Sequence, residues 1–225
     1  MENSDLSTPD DARRFGGLAR LYGDAGRARL AAAHVCVVGI GGVGSWAVEA
    51  LARSGVGRLT LIDLDHVAES NINRQIHASD ATLGQAKVEA MRERIAGYNP
   101  ACQVAVVDDF VTVDNCAEVL GAGFDYVIDA IDSVRVKVAM IAFCRQAGVP
   151  VITCGAAGGQ VDPTQIRVDD LSRTLQDPLL AKVRRQLRQN CGFPREARKK
   201  FGVEAVFSTE PLRYPATDVA CEVSV

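Results

Sequence analysis

The sequence lacks the features that mark membrane, secreted and zinc-binding proteins. Its apolar runs fall well short of the roughly twenty residues that a membrane-spanning helix needs. Its first residues, MENSDLSTPDD, are polar and acidic, unlike those of a signal peptide. Its seven cysteines are scattered singly without a C-x-x-C pair, which argues against a structural zinc site and a disulfide framework. We therefore predict a cytoplasmic protein with reduced thiols and no association with membranes.

Basic residues are distributed unevenly along the chain. The formal net charge is only −3, yet the segment from Lys182 to Lys200 contains eight basic residues against the single acidic residue Glu196. The eight are Lys182, Arg184, Arg185, Arg188, Arg195, Arg198, Lys199 and Lys200. Such a concentration either attracts a polyanion or forms a solvated helix face and loop, and the charges alone leave both interpretations open.

Residues 34–65 predict a nucleotide-binding strand–turn–helix–strand unit. An apolar run rich in β-branched residues, 35–39, is typical of a buried strand. It leads into the turn G-I-G-G-V-G and a helix over 45–54, and a second strand, 59–62, ends at Asp63. Glycines let the backbone approach a phosphate closely, and the N-terminus of the following helix attracts the phosphate charge. The carboxylate of Asp63 can accept hydrogen bonds from ribose hydroxyls. We therefore assign Gly39, Gly41, Gly42, Gly44 and Asp63 to a nucleotide site.

Strands and helices continue to alternate after this unit. Further strands are predicted at 103–107, 125–128 and 149–153, with helices over 84–97, 114–120 and 134–147. Two later β-like stretches, 160–168 and 203–208, flank the basic segment. We predict that they add antiparallel strands to the same sheet. The pattern predicts an α/β fold that is Rossmann-like and doubly wound, with a mostly parallel sheet and antiparallel C-terminal strands. We divide the chain into an N-terminal arm with helices (1–33), a nucleotide-binding core (34–157) and a C-terminal part of the same domain (158–225).

Three charged residues favour a nucleoside triphosphate over a dinucleotide. A triphosphate carries about four negative charges and needs cations to balance them. Arg74 and Lys87 follow Asp63 on segments that can fold back over phosphates, although either could be an ordinary surface cation. Asp132, just past the fourth predicted strand, could hold Mg²⁺ through a carboxylate oxygen or could cap the following helix. We predict a site for ATP and Mg²⁺, with a nicotinamide or flavin oxidoreductase as the alternative.

Five motifs in this order resemble the ThiF/MoeB-type adenylating enzymes, which are relatives of ubiquitin-activating enzymes. They are G-I-G-G-V-G, L-I-D-L-D, S-N-I-N-R-Q, G-Q-A-K-V and D-A-I-D-S, and the resemblance spans roughly residues 14–208. It implies that a carboxylate attacks the α-phosphate of Mg-ATP and displaces pyrophosphate. It also implies ribose binding by Asp63, phosphate binding by Ser70, Asn71, Asn73, Arg74 and Lys87, and magnesium binding by Asp132, with Ser133 beside it in the site. Arg74, Lys87 and Asp132 are then the catalytic residues.

Other segments are similar to the branch of this family that modifies tRNA. They are F-G-G-L-A-R-L-Y-G, N-R-Q-I-H, V-I-D-A-I-D-S-V and D-P-T-Q-I, and Ser133 stands where many relatives have asparagine. This likeness implies a homodimeric, cyclising ligase that adenylates the carboxylate of N6-threonylcarbamoyladenosine, beside the anticodon of tRNA, and then closes it with loss of water. The basic segment would contact tRNA phosphates. Relatives that serve sulfur-carrier proteins usually carry a zinc site, which the absence of C-x-x-C pairs does not favour here.

The sequence departs from the family pattern in two further places. The family often supplies an arginine across the dimer from an R-x-x-R-Q motif, whereas Arg14 is followed here by F-G-G-L, which leaves Arg14 or Arg20 as substitutes. The resemblance also leads us to expect a further glycine-containing segment and an apolar helix, which the sequence up to Val225 does not include. Three alternatives stay open: adenylation of the C-terminus of a ubiquitin-like sulfur-carrier protein, with a sulfur-relay partner; a dinucleotide-dependent oxidoreductase; and a non-catalytic nucleotide-binding module.

Overall fold

A seven-stranded sheet organises the computed structural model, which describes residues 10–196 and 198–214. Its strands are β1 (His34–Val38), β2 (Arg58–Ile62), β3 (Gln103–Val107), β4 (Tyr126–Asp129), β5 (Val151–Cys154), β6 (Ile166–Asp170) and β7 (Glu204–Ser208). The first part of the predicted N-terminal arm, residues 1–9, and the end of the C-terminal part, residues 215–225, lie outside the described residues.

The strand order is β3-β2-β1-β4-β5-β7-β6. Among these described strands every neighbouring pair is parallel except β6 and β7. This confirms the predicted α/β class with a Rossmann-like, mostly parallel sheet. The antiparallel pairing at the C-terminal end is that of β6 with β7, whereas β7 runs parallel to β5 because the chain crosses back through a helix after β6.

The described residues form six α-helices, of which the first precedes β1 and the other five lie between strands. They are α1 (Asp11–Ala32), α2 (Gly44–Arg53), α3 (Lys87–Ala96), α4 (Cys116–Leu120), α5 (Val134–Ala147) and α6 (Pro178–Asn190). α1 is interrupted at Gly23, whose φ of 70° lies outside the helical region. The sixth strand begins only at Ile166, later than predicted, because Asp162 caps a short 3₁₀ turn over Pro163–Gln165.

Helices cover both faces of the sheet, and the alternation of side chains along β1 shows this directly. Cys36 and Val38 belong to the apolar cluster formed with α4, α5 and α6, whereas Val35 and Val37 belong to the cluster formed with α2 and α3. Strands buried on both faces explain why the strand segments read as nearly continuous apolar runs. Among the described residues, no helix is long and apolar enough to cross a membrane.

The strand order places a crevice above the middle of the sheet. β1 lies between β2 and β4, so the chain leaves β1 towards one side of the sheet and leaves β4 towards the other. Ligands in open α/β sheets bind at such a switch point, outside the carboxyl ends of the strands. The loops that follow β1, β2, β4 and β5 all reach this edge, and three of the four carry predicted site residues.

Candidate nucleotide-binding site

A cleft of about 980 Å³ lies at this edge of the sheet. Its volume is at the upper end of the range of about 300–1,000 Å³ that ligand pockets usually span. Most of the predicted site residues line it: Gly39, Gly41, Gly42, Asp63, Asn71, Arg74, Lys87, Asp132 and Ser133. Gly44, Ser70 and Asn73 lie next to it without lining it. The sequence therefore predicted which loops meet at the cleft, and the binding roles of these residues stay predictions.

The glycine turn is built for close backbone packing. Gly39 has a φ of +89°, and a Cβ on Gly44 would lie 1.7 Å from the carbonyl oxygen of Gly39. Gly44 is therefore needed to bring the start of α2 against the end of β1, which explains why it lies behind the cleft. Val43, the N-cap residue of α2, makes no side-chain capping hydrogen bond. The amide of Ser45 donates to the carbonyl oxygen of Gly41 at 3.1 Å, whereas the amide of Gly44, the first residue of α2, can face an anion.

Asp63 joins the glycine turn to the loop that follows β2. Its Oδ2 accepts a hydrogen bond of 2.6 Å from the amide of Ile40, and its Oδ1 accepts one of 2.9 Å from the amide of Asp65. Each carboxylate oxygen retains a further lone pair, so the group can still accept hydrogen bonds from ribose hydroxyls at the cleft. Asp63 thus lines the cleft at the end of β2, and its role as a ribose ligand stays a prediction.

Arg74 lies over the glycine turn and is held there by its own loop. Its Nη1 donates to the carbonyl oxygen of Ser70 at 2.8 Å and to Oδ1 of Asn73 at 3.1 Å. A Cβ on Gly42 would lie 3.4 Å from the Arg74 side chain. Ser70 and Asn73 therefore orient the guanidinium, while Asn71 is buried and accepts a hydrogen bond from the amide of Ala68.

Lys87 is the first residue of α3 and is 5% exposed, yet it lines the cleft. Its Nζ lies 2.7 Å from Oδ2 of Asp65, which is the counter-ion of this ammonium in the structure. We did not predict this role for Asp65. The second aspartate of the L-I-D-L-D motif was the available signal.

Asp132 is exposed at the cleft on the loop between β4 and α5. The N-cap residue of α5 is Ser133, so the alternative interpretation of Asp132 as the helix cap does not describe this structure. Below the loop, fully buried Lys137 and Asp129 form an ion pair of 3.0 Å. Lys137 Nζ also donates to the carbonyl oxygen of Cys154, and Thr153 donates to Asp129, so the ends of β4 and β5 are tied together. Sequence reasoning missed this pair.

The basic segment begins beside the cleft. Some of its basic residues contact the protein itself, and the others are exposed. Leu179, in the first turn of α6, lines the cleft. Arg184 donates to Thr174 Oγ1, while Arg188 donates to the carbonyl oxygen of Pro194 and lies 5.0 Å over the ring of Phe201. These two arginines pack against the protein. The other six basic residues are exposed: Lys182, Arg185, Arg195, Arg198, Lys199 and Lys200.

Arg14, a candidate for the arginine across the dimer, and His77, close to Arg74 in the sequence, lie outside the cleft lining. Arg14 donates to the carbonyl oxygen of Tyr98 near the end of α3 and does not line the cleft of its own chain. His77 is buried, and neither ring nitrogen has a hydrogen-bond partner in the described part of the chain. Burial, together with the charges of Lys87 and Arg94, lowers the pKa of His77 to about 4.

The fold and the cleft define a Rossmann-like protein in which Arg74 and Lys87 line the same cleft as the glycine turn. The family model described as the ThiF family matches residues 15–198, and the chain belongs to this family. The chain is 58% identical over 206 residues to the tRNA threonylcarbamoyladenosine dehydratase of Escherichia coli (strain K12), covering 92% of this chain and 77% of that protein. It is 54% identical over 212 residues to the enzyme of the same name from Haemophilus influenzae, covering 94% and 81%.

A solved structure gives the same result for the fold. The crystal structure of Escherichia coli tRNA N6-threonylcarbamoyladenosine dehydratase in complex with ATP superposes with a TM-score of 0.88 and 58% identity. The aligned region covers 91% of this chain and 84% of the chain in that crystal structure. These relatives confirm the predicted family resemblance, including its tRNA-directed branch.

Proposed function

We propose that the protein is an ATP-dependent tRNA threonylcarbamoyladenosine dehydratase. The observation that carries this proposal is one cleft that brings together the glycine turn, Asp63, Arg74 and Lys87, in a chain 58% identical to an enzyme of that name. ATP is supported as the nucleotide because the similar solved structure contains it. The alternatives of an oxidoreductase and of a sulfur-carrier adenylating enzyme have no comparable support from these relatives.

The proposed reaction has two steps. A carboxylate on the modified adenosine first attacks the α-phosphate of ATP, and pyrophosphate leaves. An internal nucleophile of the resulting acyl-adenylate then attacks the activated carbonyl, and AMP leaves as the ring closes. Asp63 holds the ribose, while Arg74 and Lys87 offset the negative charge that develops on the phosphates. Catalysis of the first step therefore depends on positioning and charge neutralisation.

Asp132 fits a magnesium ion that enters with the nucleotide. Within residues 10–196 and 198–214, no group of three or more metal-ligating side chains could form a cage on its own. Mg²⁺ is usually held by one or two carboxylates together with substrate phosphates, so a single exposed aspartate at the phosphate edge suits it. When bound, the ion would offset phosphate charge, and Asp132 would fix its place relative to Arg74.

We propose that tRNA binds along the α6 basic surface, defined as Lys182, Arg185, Arg195, Arg198, Lys199 and Lys200. Lys182 and Arg185 are exposed on α6, whose first turn lines the cleft through Leu179. A nucleic-acid backbone on this surface would therefore lead to the cleft. Arg184 and Arg188 are left out because their guanidinium groups contact the protein itself.

Other features of the proposal follow the family. We propose a cytoplasmic homodimer in which residues 34–157 form the nucleotide-binding core and residues 158–225 complete the same domain with the tRNA-binding part. A sulfur-relay protein as an additional partner stays a prediction.

The decisive experiment supplies tRNA containing N6-threonylcarbamoyladenosine with ATP and Mg²⁺, followed by mass spectrometry of the nucleosides. We expect the modified nucleoside to lose one water. ATP turnover that requires a ubiquitin-like protein instead of tRNA would support the sulfur-carrier alternative. Thermal stabilisation by NAD equal to that by ATP would support the oxidoreductase.

A matched pair of double variants tests the tRNA surface. We expect the double variant Lys182→Glu with Arg185→Glu to bind ATP normally and to bind tRNA at least tenfold more weakly. The tRNA affinity of this variant should also depend less on salt. Each lost phosphate contact lowers the steepness of log K against log salt concentration by roughly 0.7–0.9. Arg29→Glu with Arg58→Glu is the control, since these exposed arginines make the same change in charge near the opposite edge of the sheet. Equal tRNA affinity of both double variants would contradict the proposed surface.

A further inference from the structure

One buried carboxylate links the basic helix to the wall of the cleft. Asp177 is the N-cap residue of α6 and is 4% exposed. Its Oδ1 accepts a hydrogen bond of 2.8 Å from the amide of Leu180, and its Oδ2 accepts one of 2.9 Å from the amide of Ala156. The two oxygens therefore serve two different elements, the start of α6 and the loop after β5.

That loop is part of the cleft. Residues 155–158, here called the post-β5 segment, line the cleft together with the glycine turn and Asp132. The amide of Gly155 donates to the carbonyl oxygen of Val206 at 2.8 Å, which fixes the beginning of the segment on β7. The amide of Ala156 is held by Asp177. The segment is thus placed by one backbone contact and one carboxylate.

The packing at this contact is tight. A Cβ on Gly155 would lie 1.9 Å from Oδ2 of Asp177, so the carboxylate and the segment approach each other as closely as a glycine allows. Any displacement of Asp177 therefore moves the wall or leaves the amide of Ala156 without its acceptor. A hydrogen bond to a charged carboxylate is stronger than one between neutral groups, so the contact of Asp177 with the amide of Ala156 favours one relative position of the wall and the helix.

The position of the post-β5 segment explains why this matters for the reaction. Along the edge of the sheet, Asp63 follows β2, the glycine turn follows β1, Asp132 follows β4 and the segment follows β5. The predicted nucleotide-binding residues lie on the loops after β2, β1 and β4, and residues 109–112 after β3 line the cleft beyond them. The post-β5 segment lies at the opposite end of the cleft, next to α6, and we take it as the wall for the second reactant. The same segment is attached to α6, where the α6 basic surface begins.

We propose that Asp177 is a positioning residue, which holds the cleft wall at a fixed place relative to the tRNA-binding helix so that the tRNA carboxylate meets the α-phosphate. This inference rests on the proposed function. Asp177 touches neither reactant in this role, and it acts through Ala156 and Gly155. Small errors in the placement of reacting groups, of about 1 Å, can reduce rates by about a hundredfold.

Asp177→Asn tests the inference with almost no change in volume. One oxygen can still cap α6, because asparagine is as good an N-cap as aspartate. The amide nitrogen cannot accept a hydrogen bond, so the contact with Ala156 is lost. We expect the turnover number at saturating ATP and tRNA to fall about 10- to 100-fold, while the affinities for ATP and tRNA change less than twofold.

Asp170→Asn is the matched control. Asp170 is also buried, caps the 3₁₀ turn over Leu171–Arg173, and accepts further hydrogen bonds from the amides of Phe201 and Gly202. It does not line the cleft. The control should lower the melting temperature by a similar amount without reducing turnover, measured well below both melting temperatures.

Three outcomes are distinguishable. Loss of turnover in Asp177→Asn alone supports the inference, whereas turnover within twofold of the unchanged protein, or equal losses in both variants, overturns it. Absence of tRNA conversion by the unchanged protein would instead refute the proposed function. If Asp177→Asn does not fold, Asp177→Ser replaces it, because serine caps the helix and is too short to reach both amides. The same fall in turnover is then required.

Discussion

Replacing Asp65 by asparagine tests whether Lys87 is held ready for a phosphate. The ammonium of Lys87 lies 2.7 Å from Oδ2 of Asp65, and the two side chains are 7% and 56% exposed, respectively. Asparagine keeps the size of the side chain and removes the negative charge. In the protein without nucleotide, a nearly buried ammonium then lacks its counter-ion, whereas bound ATP would supply one. The substitution should therefore affect the two states unequally.

The contacts set the expected size of the effect. Hydrogen bonds to charged groups contribute roughly 1.5–3 kcal/mol to stability. Because Asp65 is more than half exposed, we reduce this to about 1 kcal/mol. For a protein of this size we expect the melting temperature without nucleotide to fall by about 2–4 °C. If the substitution destabilises only the protein without nucleotide and leaves the stability of the ATP complex almost unchanged, ATP binding becomes more favourable by the same 1 kcal/mol. This corresponds to an increase in ATP affinity of about fivefold.

Thermal unfolding with and without ATP and Mg²⁺, together with calorimetric titration of ATP, measures both quantities. Asp80→Asn is the control, since Asp80 is an exposed aspartate of the same connection that does not line the cleft. It should change neither the melting temperature nor the affinity. A decrease in ATP affinity in Asp65→Asn, or an equal loss of melting temperature with and without ATP, would show that Asp65 does not compete with phosphate for Lys87.

Two further predictions concern His77 and Asp132. The pKa of His77 lies near 4 in the folded protein, below its ordinary value of 6.5. Between pH 4 and pH 6.5 the unfolded chain therefore binds more protons than the folded protein. Stability consequently falls as the pH drops from 6.5 towards 4. We expect His77→Leu to reduce the loss in free energy of unfolding at pH 5 by about 2 kcal/mol and to leave the rest of the acid dependence unchanged. Urea unfolding at pH 7 and pH 5 measures this. The same difference in unfolding free energy between the two pH values in both proteins would contradict the prediction. Asp132→Asn should lose most turnover while its melting temperature stays nearly unchanged, because Asp132 is exposed and is not the N-cap residue of α5; near-normal turnover would refute the assigned magnesium role.

The sheet and the cleft were predictable because their signals are local. Apolar runs rich in β-branched residues mark β1 and β2, and the glycine turn marks where the backbone must approach a phosphate. Parallel strands then bring their following loops to one edge, which is why the order of motifs in the sequence is enough to assign Asp63, Lys87 and Asp132 to one site.

The remaining features depend on contacts between distant parts of the chain. The direction of β7 follows from the route of the chain through α6, and strand composition does not encode it. Lys137 stands in V-R-V-K-V, where nothing distinguishes a buried lysine from the exposed Arg135 nearby. Its burial depends on Asp129, Thr153 and the carbonyl oxygen of Cys154, which the fold brings around its ammonium group. The different roles of Arg184 and Arg185 did have a signal. Leu180, Val183 and Leu187 define the buried face of α6, and Arg184 lies at its margin.

The direct pairing of β5 with β7 has an evolutionary consequence. The cleft wall, β6, α6 and the basic loop all lie within one insertion between these two neighbouring strands. The predicted nucleotide-binding residues from Gly39 to Ser133 come before it in the chain. The part proposed to bind the acceptor and the part proposed to activate it therefore occupy separate, continuous stretches of sequence. Under the proposed function, exchange of the stretch between Cys154 and Glu204 for that of a relative is expected to change the acceptor molecule and to leave the predicted nucleotide-binding residues in place.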